Sequence, residues 1–88
     1  MKHLAITVRG RVQGVGFRYY AKAKARDYGV RGFVKNEANA SVYIEAEGSD
    51  DAMEAFILWL KKGPPLARVD QISAYEIPEQ NFEDFVIR

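Results

Sequence analysis

The sequence predicts an α+β protein in which two helices cover one face of a mainly antiparallel sheet. Three observations lead there. Segments with two-residue apolar alternation flank two segments with helical apolar spacing. The order strand, helix, strand occurs twice, which is the split βαβ pattern. A length of 88 residues suffices for one modest core and not for two, so a single domain spanning 1–88 is expected.

The elements follow in order. Leu4, Ile6 and Val8 alternate with Ala5, Thr7 and Arg9, the period of a strand with one buried face. Phe17, Tyr20, Ala21, Ala25 and Tyr28 then fall at helical spacing, with Lys22, Lys24, Arg26 and Asp27 in the wet positions and Gly29 as the C-terminal cap. Residues 30–36 read as the second strand and 41–47 as the third, joined by a turn at 37–40. Ser49 with Asp50 and Asp51 opens a second helix, whose Met53, Phe56, Ile57 and Leu60 share a face. Gly63-Pro64-Pro65 ends it, because proline lacks the N–H that a helix needs and biases its predecessor away from helical angles. Residues 69–77 form the fourth strand, and Phe85-Val86-Ile87-Arg88 a short final one. The sheet face away from the helices is left open to solvent.

Composition narrows the function classes. Hydrophobic residues at 48% and charged residues at 28% describe an ordinary soluble globule. The chain has no cysteine, which excludes disulfides, thiol nucleophiles and thiolate metal sites. Its one histidine, His3, excludes a multi-histidine metal site within one chain; it reads as an exposed or half-buried strand residue. Thirteen basic residues against twelve acidic ones leave a net charge of +1, so no global field favours nucleic acid or an acidic membrane. Any anion site is expected to be local. The N-terminal segment has no signal-peptide core and no apolar run approaches membrane-spanning length, so a cytoplasmic location is expected.

The most informative segment is Gly10-Arg11-Val12-Gln13-Gly14-Val15-Gly16-Phe17-Arg18, which leaves a strand, enters a helix and ends on an arginine. Glycines let successive N–H groups point into one concavity, a helix start contributes its positive end, and a guanidinium adds a fork of charged donors. Such a loop suits phosphate. Spacing alone leaves a second reading open, a tight connection with Arg18 solvated in the first helical turn. A basic residue there opposes the helix dipole, which tilts the balance toward a bound anion. Asn36, at a strand end beside Glu37, reads on its own as a turn or cap residue. Gln13 reads as polar surface, with a loop hydrogen-bond donor as the alternative, and Lys22, Lys24 and Arg26 as a wet face with an acidic partner as the alternative.

Other motif readings fail on particular residues. Gly14-Val15-Gly16 resembles the start of a dinucleotide fingerprint, but Tyr19 stands where the third small residue belongs, and the Walker lysine with its serine or threonine is missing. Arg31-Gly32-Phe33 echoes an RNA-recognition signature, yet the next stacking aromatic is not at the expected spacing. A regulatory domain that binds phosphate without turning anything over remains the second rival.

Taken in order, Gly10 to Arg18, Gly32-Phe33-Val34-Lys35-Asn36, Gly63-Pro64-Pro65-Leu66-Ala67-Arg68-Val69 and the ending Phe85-Val86-Ile87-Arg88 resemble the acylphosphatase family over nearly the whole chain. The resemblance implies a ferredoxin-like two-layer sandwich that hydrolyses the carboxyl-phosphate bond of acyl phosphates without metal or cofactor. It implies that Arg18 binds the phosphate, that Asn36 orients the attacking water, and that the backbone of Gln13, Gly14, Val15, Gly16 and Phe17 forms the cradle. The implied partners are a small acyl phosphate and, as product-like ligands, phosphate or sulfate, with no nucleic acid or membrane; a monomer is expected. The chemistry is consistent with the lack of a catalytic triad or metal cluster. The leaving group is a carboxylate, whose acid has a pKa of about 4, so it departs without a strong general acid. One departure stands out: Ala40 occupies a turn position where the family commonly has glycine, so another turn type or backbone strain is expected. Arg88 would reach the site if the last strand ran alongside the first.

Overall fold

The computed structural model describes residues 1–88. In chain order the elements are β1 (Lys2–Arg11), α1 (Phe17–Tyr28), β2 (Arg31–Asn36), β3 (Val42–Gly48), α2 (Asp50–Lys62), β4 (Arg68–Glu76) and β5 (Phe85–Ile87). Every expected element is present, with ends displaced by about a residue, as strand and helix ends commonly are. β2 starts at Arg31 and not at Val30, and β3 runs one residue later than expected at both ends.

The strands lie in the order β4-β1-β3-β2-β5. β1 is antiparallel to β3 and β4, β2 is antiparallel to β3, and β5 is parallel to β2. It follows that β1, β2 and β5 run in one direction and deliver their carboxyl ends to the same side of the sheet. That side holds the glycine loop.

Alternation builds the core. Leu4 faces Ala46, Ile6 faces Ile44 and Val8 faces Val42 across the β1 and β3 ladder. All six are buried under Phe17, Ala21 and Ala25 of α1 and Met53, Phe56 and Leu60 of α2. Tyr20 and Tyr28, expected on the buried stripe, are 43% and 36% exposed. Ala21 and Ala25 bring the backbone of α1 close to the sheet. That leaves a seam one row wide, with the tyrosines on its partly exposed flank.

The face away from the helices is not bare. Because β4 and β5 occupy opposite edges, the connection between them has to cross the sheet. Phe82 of this connection meets Phe33 with ring centroids 5.9 Å apart, and Tyr43 meets Phe33 at 6.0 Å. The expectation of an open face therefore fails at β2, where Phe33 is only 5% exposed. Buried Glu47 fixes the crossing: its carboxylate accepts from the Phe82 N–H and lies 2.6 Å from His3 Nδ1. His3 is a partly buried strand residue, as expected. Arg88 follows β5 beside β2 and not beside β1, and its guanidinium rests 4.1 Å above the Phe33 ring. It is held on the opposite face from the helices, so the conditional reach to the site does not arise. No helix is long and apolar enough to cross a membrane.

Candidate active site

The segment between β1 and α1 is pinned by its apolar residues and turned by its glycines. Val12 and Phe17 are 1% and 2% exposed, Val15 packs against the same core, and the Phe17 ring lies 5.7 Å from that of Trp59. Between these anchors Gly14 and Gly16 have φ of 74° and 78°. Residues with a Cβ pay about 1–2 kcal/mol for that left-handed conformation, so glycine here is a conformational requirement.

Gly16 also caps α1, with no side-chain hydrogen bond and no acidic residue in the first turn. The N–H groups of residues 13–18 donate to no backbone carbonyl. The start of α2 is the contrast within the same molecule. There the Ser49 hydroxyl accepts from the Ala52 N–H, and Asp50 and Asp51 answer the helix dipole. One helix start is thus neutralised by its own residues, while the other keeps its donors and positive end and adds the Arg18 charge.

Arg18 and Asn36 meet at this uncapped start. They line one concavity of about 230 Å³ together with Gly14, Gly16 and Phe17. Its apolar wall comes from Val12, Tyr19 and Ile87. The topology accounts for the meeting. Asn36 is the last residue of β2 and Ile87 the last of β5, and both strands end on the side where β1 releases the loop. Tyr19 and Ile87 were not singled out from the sequence. Alternation from the buried Phe85 puts Ile87 on the helix-facing side, a signal that becomes usable only once β5 is known to lie beside β2.

Gln13 and Val15, expected in the cradle, are not among the residues that line the concavity. Of the two readings of Gln13, the favoured one, polar surface, is corrected, and the loop hydrogen-bond donor is what the structure shows. Its Nε2 donates to the carbonyls of Glu37 at 2.8 Å and Ser41 at 2.9 Å, tying the loop to the turn that follows Asn36. That turn is further closed by Glu37 N–H to the Ser41 carbonyl at 2.9 Å, and Asn39 Oδ1 accepts from the Ser41 hydroxyl at 2.6 Å. Ala40 has φ of 72°, so the anticipated left-handed strain is present. Two ionisations are displaced, and neither group lines the concavity. The Tyr43 phenol is pushed up, first by desolvation and then by its bond to Glu45. The Asp84 carboxyl is held low, first by the Phe85 N–H and then by Arg26.

The chain matches the acylphosphatase family model over residues 4–87. It is 46% identical to an acylphosphatase of Thermotoga petrophila over 88 residues, which cover 100% of this chain and 98% of that protein. It is 42% identical over 84 residues to one from Archaeoglobus fulgidus, with 96% and 94% covered. Among solved structures, the crystal structure of acylphosphatase from Bacillus subtilis superposes with a TM-score of 0.97 at 38% identity, over 100% of this chain and 99% of that one. Fold, loop and full-length similarity agree: the chain belongs to the acylphosphatase family, hydrolases with the ferredoxin-like α+β fold.

Proposed function

We propose that residues 1–88 act as a single catalytic domain that cleaves acyl phosphates to a carboxylate and inorganic phosphate by positioning and charge alone, without a metal ion. The phosphoryl group sits on the N–H groups of residues 13–17 at the start of α1, and the Arg18 guanidinium grips two of its oxygens. Asn36 offers an amide donor and an acceptor, which hold a water in line with the bond to be broken. As water oxygen bonds to phosphorus, the bond from phosphorus to the carboxylate oxygen breaks. The leaving carboxylate takes that electron pair, and the water proton passes to a phosphoryl oxygen. Negative charge on the equatorial oxygens of such a loose transition state is what amides and a guanidinium stabilise.

The observation that supports this reading is the shared concavity. Arg18 and Asn36, on different elements, line one cleft at the helix start that no side chain caps. The enzyme is expected to work in the cytoplasm as a monomer on small acyl phosphates.

Hydrolysis of benzoyl phosphate in excess chelator tests it. Turnover is expected to survive metal removal and to be inhibited by inorganic phosphate. Arg18→Ala is expected to lose about 10³-fold in kcat/KM, the scale of losing a principal charged donor. Asn36→Ala should lose about 10²-fold in kcat, with phosphate inhibition retained, since it acts on the water. Unchanged activity in Arg18→Ala overturns the assignment, and phosphate binding without turnover identifies a regulatory anion domain.

A further inference from the structure

The concavity at the phosphate loop does not end at its apolar wall. Tyr19 and Ile87 also line a second groove, of about 370 Å³, which runs between α1 and β5. Ala23 also lines it, and its polar residues are Lys22, Arg26 and Asp27. The two hollows therefore share a wall.

Charge is distributed unevenly along this path. Arg18, Lys22 and Arg26 stand four residues apart on α1, so they form one row along the helix. Arg26 is already engaged, with its Nη2 2.7 Å from Asp84 Oδ2. Asp27 adds a negative charge at the far end. Lys22 is half-buried and makes no direct ion pair; its charge acts on the Asp84 carboxylate only at longer range, behind that of Arg26, so of the two cations in the groove it is the one without a contacting partner. A rise of 1.5 Å per residue sets Lys22 about 6 Å along the axis from Arg18, and helical side chains lean toward the N-terminus, which brings the ammonium nearer the phosphate loop.

We infer that this groove is the acyl-group subsite, and that it selects short acyl phosphates carrying an anionic group at the far end of the acyl chain. This rests on the reading of Arg18 and the loop as the phosphoryl site. With phosphate in the cradle, the acyl carbon chain leaves over Tyr19 and Ile87, and a terminal carboxylate one helical turn away meets Lys22. A longer chain meets the occupied Arg26 and the like charge of Asp27, so the preference falls with length.

The test compares kcat/KM for succinyl phosphate with that for butyryl phosphate, which has the same chain length and no distal charge. The unmutated protein is expected to favour succinyl phosphate. Lys22→Gln should lower the succinyl to butyryl ratio about threefold to fivefold, the worth of a partly exposed ion pair. Lys22→Glu should lower it further, and high salt should flatten the preference in the unmutated protein. Lys61→Gln, on α2, should leave the ratio unchanged. A ratio in Lys22→Gln equal to that of the unmutated protein overturns the inference. Binding of 5-phosphonopentanoate against pentylphosphonate, followed by amide NMR shifts along α1, reads the same preference without turnover. A Lys22-dependent preference there with no hydrolysis would sink the enzymatic reading and keep the subsite. Turnover of butyryl phosphate with no preference in either assay would sink the subsite and keep the enzyme.

Discussion

Replacing Gln13 by leucine keeps most of the side chain's bulk and removes the donor that joins the phosphate loop to the β2–β3 turn. Two hydrogen bonds are lost, to the Glu37 and Ser41 carbonyls. Neither carbonyl is stranded, because the Ala40 N–H still reaches that of Glu37 and the Glu37 N–H that of Ser41. The cost is therefore two net bonds of about 1 kcal/mol each, or about 2 kcal/mol. In a domain of this size each kcal/mol moves Tm by about 4–8 °C, so calorimetry should record a drop of about 8–16 °C. The same bonds hold the turn that begins right after Asn36. Below the new Tm, kcat on benzoyl phosphate is expected to fall about tenfold, equivalent to about 1.4 kcal/mol of lost positioning. A Tm within about 3 °C of the unmutated protein's would refute the reasoning, since that is less than one such bond supplies.

Two further outcomes follow from the same structure. Asp84 accepts from the Phe85 N–H at 2.8 Å and from Arg26 at 2.7 Å, which hold its carboxyl below the ordinary range. A folded-state value lower than the unfolded one contributes stability that is complete above about pH 4 and lost as pH falls. Urea midpoints measured from pH 5 to pH 2 should therefore fall less steeply in Asp84→Asn, and identical acid limbs would contradict this. Ala40→Gly relieves the left-handed strain at φ 72°. Relief of about 1–2 kcal/mol, less about 0.4–1 kcal/mol for the freer unfolded chain, leaves a net gain of about 0–1.6 kcal/mol, centred on about 0.8 kcal/mol. Tm should rise by a few degrees, and a lower Tm would show that the turn tolerates alanine without cost.

Much of this was legible in the sequence, because the relevant signals are local. The alternation of Leu4, Ile6 and Val8 fixes which face of β1 is buried, and all three lie in the core. The glycines around Val15 mark a loop whose N–H groups can turn into one concavity, and Gly14 and Gly16 adopt the left-handed backbone that only such residues take freely. What stayed illegible depends on which strand lies beside which. Arg88 and Ile87 are adjacent in sequence, yet one stacks on Phe33 and the other lines the cleft, and only the pairing of β5 with β2 decides that. The choice between polar surface and hydrogen-bond donor at Gln13 is undecidable from sequence for the same reason. Its acceptors lie 24 and 28 residues away, beyond any local pattern.

The doubled strand-helix-strand plan gives the molecule two helix starts at which an anion could in principle be held, and the residues at each start decide between them. At α2 the Ser49 hydroxyl takes the Ala52 N–H, and Asp50 and Asp51 supply negative charge, so an incoming phosphate would meet repulsion and occupied donors. At α1 no side chain accepts, the first turn has no carboxylate, and Arg18 adds positive charge where the dipole is already positive. That arrangement is unfavourable for the helix in isolation, by roughly 0.3–1 kcal/mol for a misplaced charge, and becomes favourable once a dianion is present. The destabilising choice is confined to the place where β1, β2 and β5 deliver their carboxyl ends, and with them the loop, Asn36 and Ile87. Local frustration at that one corner, set against a neutralised counterpart at the other, is what physical reasoning expects of a site built to bind charge, not merely to connect a strand to a helix.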